Sequence, residues 1–184
     1  METTLKGWLF CHDLLKENHL LIAGSTGSGK SVLLNHLIWT LYGYDPNKMN
    51  TVLIDLKRVE LSKWKKFPHT WMTATEKDDV LPTLSRVERE MERRFKDMEM
   101  KCICESDEGH IYVIIDETAY TLSIKGVEEK ITDIMRLGRA AHIHMILCTQ
   151  SPNRAKGGGL SAGICQNVTC AIGLHCKTAI ESRR

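Results

Sequence analysis

The sequence lacks any long apolar run. No stretch of its 184 residues approaches the roughly 18 consecutive apolar residues that a membrane-spanning helix requires. Residues 1–10 also lack an apolar segment after a basic start, so no signal peptide is predicted there. These absences predict a cytoplasmic domain, with any membrane tether supplied by segments outside this sequence.

Neither sign of charge dominates, because 25 Lys and Arg residues stand against 23 Asp and Glu residues and leave a net charge of +2. Such a balance does not by itself indicate a nucleic-acid partner, so a basic binding face must be local or shared between subunits. The length suits a single domain over 1–184, with 1–18 as a lead-in. A new helix is predicted to begin at 181–184, which leads us to expect a truncated C-terminus.

The cysteines show neither a disulfide framework nor a close C-x-x-C pair. Their odd number predicts reduced thiols, as in a cytosolic protein. Three of them could be considered a metal site, but their segment alternates like a strand, so we predict buried structural thiols instead of zinc ligands. The cluster is Cys165, Cys170 and Cys176, and the other four are Cys11, Cys102, Cys104 and Cys148.

The chain shows no internal repeat and no low-complexity tract. Apolar runs predict strands at 19–23, 51–56, 111–115, 144–148 and 168–174, and helical spacing predicts helices at 30–42, 84–102 and 127–141. Continuous β-rich runs separated by helices are typical of an α/β fold with a mostly parallel central sheet and helices on both faces. The glycine-rich segment 153–163 is predicted to be a mobile loop.

The helix predicted at 84–102 is amphipathic. Its polar face carries three pairs in which an acid precedes a base by four residues: Glu90 with Arg94, Glu92 with Lys96, and Asp97 with Lys101. We interpret this face as solvated, and a DNA-contacting helix is the alternative.

A complete phosphate-binding motif follows the first strand. It matches G-x-x-x-x-G-K-[ST] and consists of Gly24, Ser25, Thr26, Gly27, Ser28, Gly29, Lys30 and Ser31. Glycines let backbone N–H groups wrap a phosphate closely, and the following helix adds the positive end of its dipole. Lys30 would then contact the β and γ phosphates of ATP, and the Ser31 hydroxyl would bind Mg²⁺.

The strand at 111–115 ends in two acids, Asp116 and Glu117. A parallel strand delivers such side chains to the carboxyl edge of the sheet, where ligands bind in open α/β folds. Asp116 is predicted to hold Mg²⁺, mostly through water. Glu117 is predicted to orient and deprotonate the attacking water.

The two acids also discriminate between classes of P-loop protein. A small-molecule kinase would not need a water-activating carboxylate directly after Asp116. A GTPase would be expected to carry a base-reading N-K-x-D element, which this sequence lacks. Glu117 therefore favours nucleotide hydrolysis, with ATP as the nucleotide.

Two further polar residues flank the strand at 144–148. Gln150 follows it and could contact the γ-phosphate or the attacking water, and a polar residue bonded to a neighbouring loop is the alternative. Arg139 precedes it at a predicted helix end. Such an arginine is often a helix cap, and it is also where an oligomeric ATPase could present an arginine finger to its neighbour.

Taken together, these motifs resemble the motor core of the FtsK/SpoIIIE group of DNA translocases. The matching segments occur in the family's order: HLLIAGSTGSGKS (19–31), VLIDLKRVELSKW (52–64), FPH (67–69), MERRF (91–95), VIIDE (113–117), GRAAHIHMILCTQSP (138–152) and ESR (181–183). They cover most of residues 19–183, and the combination is specific although its single pieces are not.

The resemblance implies a RecA-like fold, ATP hydrolysis at subunit interfaces and a hexameric ring that threads double-stranded DNA. It assigns phosphate and Mg²⁺ binding to 24–31 and the Walker B pair to Asp116 and Glu117. It makes Gln150 the sensor and Arg139 the finger. Lys57 falls in the family's Asp-x-Lys element, and its role stays open.

Departures from the family pattern keep alternatives open. Thr118, Ala119 and Tyr120 follow the acidic pair where the family has an aromatic or aliphatic residue and then Ala-Asp, and Ser151 replaces the usual arginine after the sensor. The family's segment before the core and its winged-helix module are missing, which puts sequence-directed translocation in question. The GRAA stretch also resembles members from conjugation and protein-secretion machines. A nucleotide-binding assembly module with little turnover is a third possibility.

Overall fold

The computed structural model describes residues 18–150 and 159–174. Within them six strands form one sheet in which every neighbouring pair is parallel. The strands are β1 (His19–Ala23), β2 (Met49–Ile54), β3 (Thr70–Ala74), β4 (His110–Ile115), β5 (Ile143–Thr149) and β6 (Cys170–Gly173). Their order across the sheet is β3-β2-β4-β5-β1-β6. The predicted parallel α/β fold is confirmed.

Helices cover both faces of this sheet, as predicted. They are α1 (Lys30–Leu41), α2 (Lys77–Lys101), α3 (Thr118–Thr121), α4 (Val127–Leu137) and α5 (Ala162–Asn167), and a 3₁₀ turn lies at Ser62–Trp64. Among the described residues, no helix is both long and apolar enough to cross a membrane.

Two hydrophobic cores follow from the alternation of side chains along the buried strands. In β4, Val113 and Ile115 face the core shared with α2 and α4, whereas Tyr112 and Ile114 face the core shared with α1. Both faces are covered, so the strands are apolar at consecutive positions. Each buried Leu or Ile contributes about 1.5–3 kcal/mol, which holds the strand ends in a fixed register.

That register aligns the carboxyl ends of four strands. Ala23 of β1 pairs with Thr149 of β5, and Ile115 of β4 pairs with both Ile54 of β2 and Leu147 of β5. The polar residues that follow these strands therefore meet at one edge of the sheet.

The polar face of α2 departs from its prediction. Arg94 is 5% exposed, and it donates to Glu90 at 2.9 Å and to the carbonyl oxygens of Gly109 and Ala141 at 2.7 and 2.8 Å. The solvated interpretation is wrong for Arg94, which instead ties α2 to the segments preceding β4 and β5. The Asp97–Lys101 pair is present at 2.7 Å.

Apart from the 3₁₀ turn, three elements were not predicted from the sequence, β3, α3 and α5, and a fourth, α2, is longer than predicted. The edge strand β3 alternates between half-buried and exposed positions and so lacks an apolar run. Helix α2 begins at Lys77, continues through Pro82 and is seven residues longer at its start than predicted. Helices α3 and α5 are short, and α5 includes Gly163, which had been placed in the mobile loop.

Some predictions concern residues whose structure is not described. The segment 151–158, the helix start at 181–184, Cys11 and Cys176 lie outside the described residues. Of the two described members of the cysteine cluster, Cys165 and Cys170 are half-buried thiols and not fully buried ones. The described ranges contain no group of three or more His, Cys, Asp or Glu side chains suited to a metal ion.

A histidine cluster occupies the amino edge of the sheet, opposite the phosphate motif. The rings of His110 and His142 stack at 4.3 Å between centroids, and His110 Nδ1 lies 2.8 Å from His144 Nε2. Burial lowers the pKa of His19 to about 4 and that of His144 to about 3, and burial together with the charges of His142 and Arg94 lowers the pKa of His110 to about 4. The folded state therefore keeps these rings neutral.

Stability is expected to fall as the pH drops from 7.5 to 5. An unfolded histidine titrates near pH 6.5, whereas His19, His110 and His144 stay neutral in the folded protein at that pH. As the pH falls, the unfolded chain therefore binds more protons than the folded protein, which favours unfolding in acid. Urea denaturation across this range should show a loss of up to about 6 kcal/mol, because each of the three histidines contributes about 1.4 kcal/mol per pH unit between pH 6.5 and pH 5. His144→Asn should flatten this dependence. An unchanged slope in that variant would contradict the assignment.

Candidate nucleotide site

The segment between β1 and α1 is a loop shaped by glycine. Gly27 and Gly29 have φ angles of 81° and 95°, and a Cβ at either would meet no described heavy atom within 4 Å. Their backbone conformation, and not lack of space, is what favours glycine. At Gly24, a Cβ would overlap Ser28 Oγ and lie 2.9 Å from Leu174 Cβ. Gly24 is therefore needed for close packing.

This loop fits a phosphate chain. The twelve-residue helix α1 begins at Lys30, so its free N–H groups and positive dipole end face the loop. Ser28 Oγ is buried and has no hydrogen-bond partner among the described residues. A buried hydroxyl without a partner is costly unless a ligand supplies one.

Lys30 and Asp116 meet across the carboxyl edge. Lys30 Nζ donates to Asp116 Oδ1 at 2.9 Å, and both side chains are at least nine-tenths buried. Burial alone would lower the pKa of Lys30, but the hydrogen bond and charge of Asp116 outweigh it, so the pKa is raised. Lys30 is thus a charged ammonium inside the pocket, and its predicted contact with phosphates stays a prediction.

Ser31 and Asp116 offer oxygen ligands of the kind that Mg²⁺ prefers. Mg²⁺ in nucleotide sites binds one or two protein oxygens and completes its shell with phosphate and water. Ser31 begins the first turn of α1 beside Lys30, and its Oγ donates to Glu60 Oε1 at 2.6 Å. The donor set at this edge therefore fits Mg²⁺.

Glu117 stands directly after Asp116 in an unusual backbone conformation. Its φ is 54°, in the left-handed region that non-glycine residues rarely adopt and that recurs at functional sites. Its carboxylate accepts a hydrogen bond from Lys57 Nζ at 2.9 Å. Glu117 is 13% exposed at its side chain and Lys57 is 48% exposed. The predicted base thus lies beside the pocket, next to Asp116, and is paired with the ammonium group of Lys57, which lines the pocket and whose role the sequence left open.

The predicted sensor also reaches the phosphate loop. Thr26 Oγ1 donates to Gln150 Oε1 at 3.2 Å, and the Gly24 N–H donates to the Thr149 carbonyl at 3.1 Å. These contacts place the end of β5 against the loop. Gln150 is therefore close enough to contact a phosphate bound by the loop. Its hydrogen bond to Thr26 does not conflict with the predicted sensor role.

These residues enclose a pocket of about 410 Å³ at the carboxyl edge of the sheet. It is lined by Ser25, Thr26, Gly27, Gly29, Lys30, Ser31, Val32, Lys57, Val59, Glu60, Asp116 and Gln150. Val32 and Val59 are 74% and 70% exposed and give the rim an apolar part. The pocket is large enough for a nucleotide.

The loop after β2 contributes residues that sequence reasoning missed. Asp55 is 1% exposed, and its carboxylate accepts from the backbone N–H groups of Lys57, Arg58 and Leu61 at 2.8–3.0 Å. It thereby fixes the loop that carries Lys57 and Glu60 to the pocket. Two sequence signals pointed to this loop: its position after a buried strand, and the family's Asp-x-Lys element, in which Asp55 is the aspartate.

Arg139 is not part of this pocket. It lies in the turn between α4 and β5, at the amino edge of the sheet, and is exposed. Its carbonyl accepts from the His142 N–H at 3.0 Å, and its guanidinium has no hydrogen bond or ion pair among the described residues. The structure therefore separates Arg139 from the other predicted site residues.

Lys30→Ala is expected to abolish ATP binding at micromolar nucleotide. It removes a charge-assisted contact worth about 1.5–3 kcal/mol, and thus costs roughly 10–100-fold or more in affinity. It also leaves the Asp116 carboxylate without its ammonium. Titration with a fluorescent ATP analogue would measure the loss, and exposed Lys65→Ala makes the same charge change away from the pocket. Equal affinities for the two variants would contradict the site.

The parallel sheet, the phosphate loop and the acidic pair after β4 define a P-loop NTPase. The FtsK/SpoIIIE family profile matches residues 2–121, which is more than half of the chain. The chain therefore belongs to the FtsK/SpoIIIE family.

Individual relatives agree with this assignment. The chain is 35% identical over 191 residues to "DNA translocase FtsK" of Helicobacter pylori, covering 95% of this chain and 22% of that protein. It is 35% identical over 189 residues to "DNA translocase SftA" of Bacillus subtilis, covering 93% and 20%. The pCW3 conjugation coupling protein TcpA, solved as a monomer with ATPγS, superposes with a TM-score of 0.77 at 25% identity, covering 93% and 52%. The chain thus spans about a fifth of the length of these two translocases.

Proposed function

We propose that this chain binds MgATP in the pocket at the carboxyl edge and hydrolyses it, and that hydrolysis drives the movement of double-stranded DNA. The observation that carries the proposal is the contact of Lys30 with Asp116, with Glu117 beside them and Gln150, at the end of β5, against Thr26 of the phosphate loop. Residues from the ends of β1, β4 and β5 converge there, although they are far apart in sequence.

Each of these residues has a chemical task. Lys30 and the loop N–H groups bind the phosphates, and Ser31 with Asp116 hold Mg²⁺. Held there, Mg²⁺ would supply positive charge against the phosphates. Glu117 accepts the proton of the attacking water, and Gln150 orients that water or contacts the γ-phosphate.

DNA as the moved polymer rests on the relatives, which are named DNA translocases. The net charge of +2 does not by itself indicate a DNA-binding face, so such a face must be local or shared between subunits. From membership of the family we further propose a ring of subunits, hexameric in number, that encloses the duplex. A membrane tether outside this chain and a cytoplasmic location belong to the same proposal. Cell fractionation of the natural protein would test the location.

The decisive experiment measures ATP hydrolysis with and without duplex DNA. We expect turnover that depends on Mg²⁺ and rises several-fold with duplex DNA, and this stimulation should weaken with salt because phosphate contacts are ionic. The Lys30→Ala variant provides the background. Hydrolysis that is equally fast without DNA would count against the DNA coupling while leaving the ATPase intact.

A second candidate function is the ATPase of a conjugative-transfer or protein-secretion machine. The similarity to the conjugation coupling protein TcpA favours the conjugative version. The ion pair between Lys57 and Glu117 favours a third candidate, a nucleotide-binding assembly module with little turnover, because Lys57 engages the carboxylate that would act as the base. Tight MgATP binding with negligible turnover in both the presence and absence of DNA would identify the module.

A further inference from the structure

Glu60 lies against the residue assigned to bind Mg²⁺. The Ser31 hydroxyl donates to Glu60 Oε1 at 2.6 Å, a short distance typical of a hydroxyl bonded to a carboxylate. Glu60 lines the same pocket and is half-buried. A carboxylate thus stands beside the phosphate loop in addition to Asp116 and Glu117.

The backbone around Glu60 is held in place. Its neighbour Leu61 is 1% exposed in the core shared with α1, and the Leu61 N–H donates to buried Asp55 at 3.0 Å. On the other side, Arg58 has a φ of 57° and is fixed by a second hydrogen bond to Asp55 at 2.8 Å. Glu60 is therefore delivered to Ser31 by a constrained loop.

The charge of Glu60 has no cationic partner among the described residues. Asp116 is paired with Lys30, and Glu117 is paired with Lys57. The two lysines that line the same pocket, Lys30 and Lys57, are each paired with another acid, so neither forms an ion pair with Glu60. A divalent ion at Ser31 would supply a cationic partner.

We propose that Glu60 is a positioning residue of the Mg²⁺ site, an inference that rests on the proposed MgATP function. A serine hydroxyl has one hydrogen and two lone pairs. When its hydrogen is donated to Glu60, the lone pairs of Ser31 Oγ are left for the metal. The carboxylate also makes that oxygen a better ligand, as outer-shell partners of metal ligands do.

Nucleotide affinity measured against Mg²⁺ concentration tests this role. Loss of an outer-shell partner costs about 10–100-fold in metal affinity, so Glu60→Gln should need that much more Mg²⁺ to reach the same binding of a fluorescent ATP analogue. In EDTA, affinity should be unchanged or tighter, because a negative charge near the phosphates is removed. A merely structural residue would weaken binding in both conditions.

Two controls complete the experiment. Glu92→Gln makes the same charge change on the exposed surface of α2 and should leave the Mg²⁺ dependence as in the unmodified chain. Ser31→Ala should lose the Mg²⁺ dependence, and adding Glu60→Gln to it should have no further effect, because both act through one oxygen. Thermal melting verifies folding, and Glu60→Asp replaces Glu60→Gln if that variant does not fold.

The outcomes separate this inference from the proposed function. If the nucleotide affinity of the unmodified chain does not depend on Mg²⁺, both the proposed MgATP function and the role of Glu60 are wrong. An unmodified chain with clear Mg²⁺ dependence that Glu60→Gln leaves intact would overturn only the role of Glu60. Additive effects of Ser31→Ala and Glu60→Gln would likewise overturn it.

Discussion

Replacing Glu117 with glutamine is expected to leave MgATP binding intact and to slow hydrolysis by about 10²–10⁴-fold, the range typical of a general base. The amide keeps the shape of the side chain but cannot accept the proton of water. Lys30, Ser31 and Asp116 are unchanged, so the phosphates and Mg²⁺ keep their partners. Single-turnover hydrolysis and analogue binding would be measured on the same preparation.

Lys57 supplies the control for this variant. Its ammonium lies 2.9 Å from Glu117, so Glu117→Gln removes an ion pair as well as a base. Lys57→Met removes the same pair but keeps the carboxylate. If Lys57→Met slows hydrolysis as much as Glu117→Gln does, the rate loss comes from breaking the ion pair and not from removing a general base. Near-normal turnover by Glu117→Gln would move the base elsewhere.

The main parts of the site could be predicted because parallel strands place their carboxyl ends at one edge. Lys30 and Asp116 are 86 residues apart in the sequence. Asp116 directly follows β4, and Lys30 begins α1 after the short loop that follows β1, so Lys30 Nζ and Asp116 Oδ1 lie 2.9 Å apart. The same rule placed Gln150 against Thr26. The strands themselves were recognisable because both faces are buried, which leaves continuous apolar runs.

Other features depend on tertiary contacts that local sequence does not encode. Arg94 has the helical spacing of a surface residue, and its burial is favourable because two backbone carbonyls and Glu90 satisfy the guanidinium. Strand β3 exists through its pairing with β2 and not through its own hydrophobicity. Glu60 is one of many acids, and the loop fixed by Asp55 is what brings it to Ser31.

Arg139 differs from the other predicted site residues, because its position argues against a role in the nucleotide pocket of its own subunit. Strand β5 is seven residues long, which separates its two ends by about 23 Å. Gln150 follows one end of β5, at the phosphate loop, and Arg139 precedes the other. An arginine on that side can reach a nucleotide only in a neighbouring subunit, and head-to-tail interfaces that close by rotation form rings.

A helix cap would be the structural explanation of Arg139. It lies two residues beyond Leu137, the last residue of α4, and its guanidinium bonds to no carbonyl in the described part of the chain. The cap would also contribute only about 1 kcal/mol or less. An exposed guanidinium without a partner is consistent with one that acts on another molecule.

Arg139→Ala is therefore expected to fold and bind ATP normally but to lose about 10³–10⁵-fold in hydrolysis by the assembled protein, the range known for arginine fingers. Neighbouring Arg136→Ala is the matched control, because Arg136 is also exposed and is already paired with Asp133 at 3.0 Å. Arg136→Ala should keep most of the activity. Both would be assayed with duplex DNA at concentrations where light scattering shows self-association.

Mixing two inactive variants distinguishes action across an interface from action within a subunit. Arg139→Ala and Glu117→Gln subunits, each inactive alone, should regain turnover when mixed, because some interfaces then combine an intact Glu117 with an intact Arg139. At equal proportions about a quarter of random interfaces would have this composition, so the recovered activity should be a sizeable fraction of normal. If the two variants demonstrably assemble together and no mixing ratio restores hydrolysis, Arg139 does not act in trans.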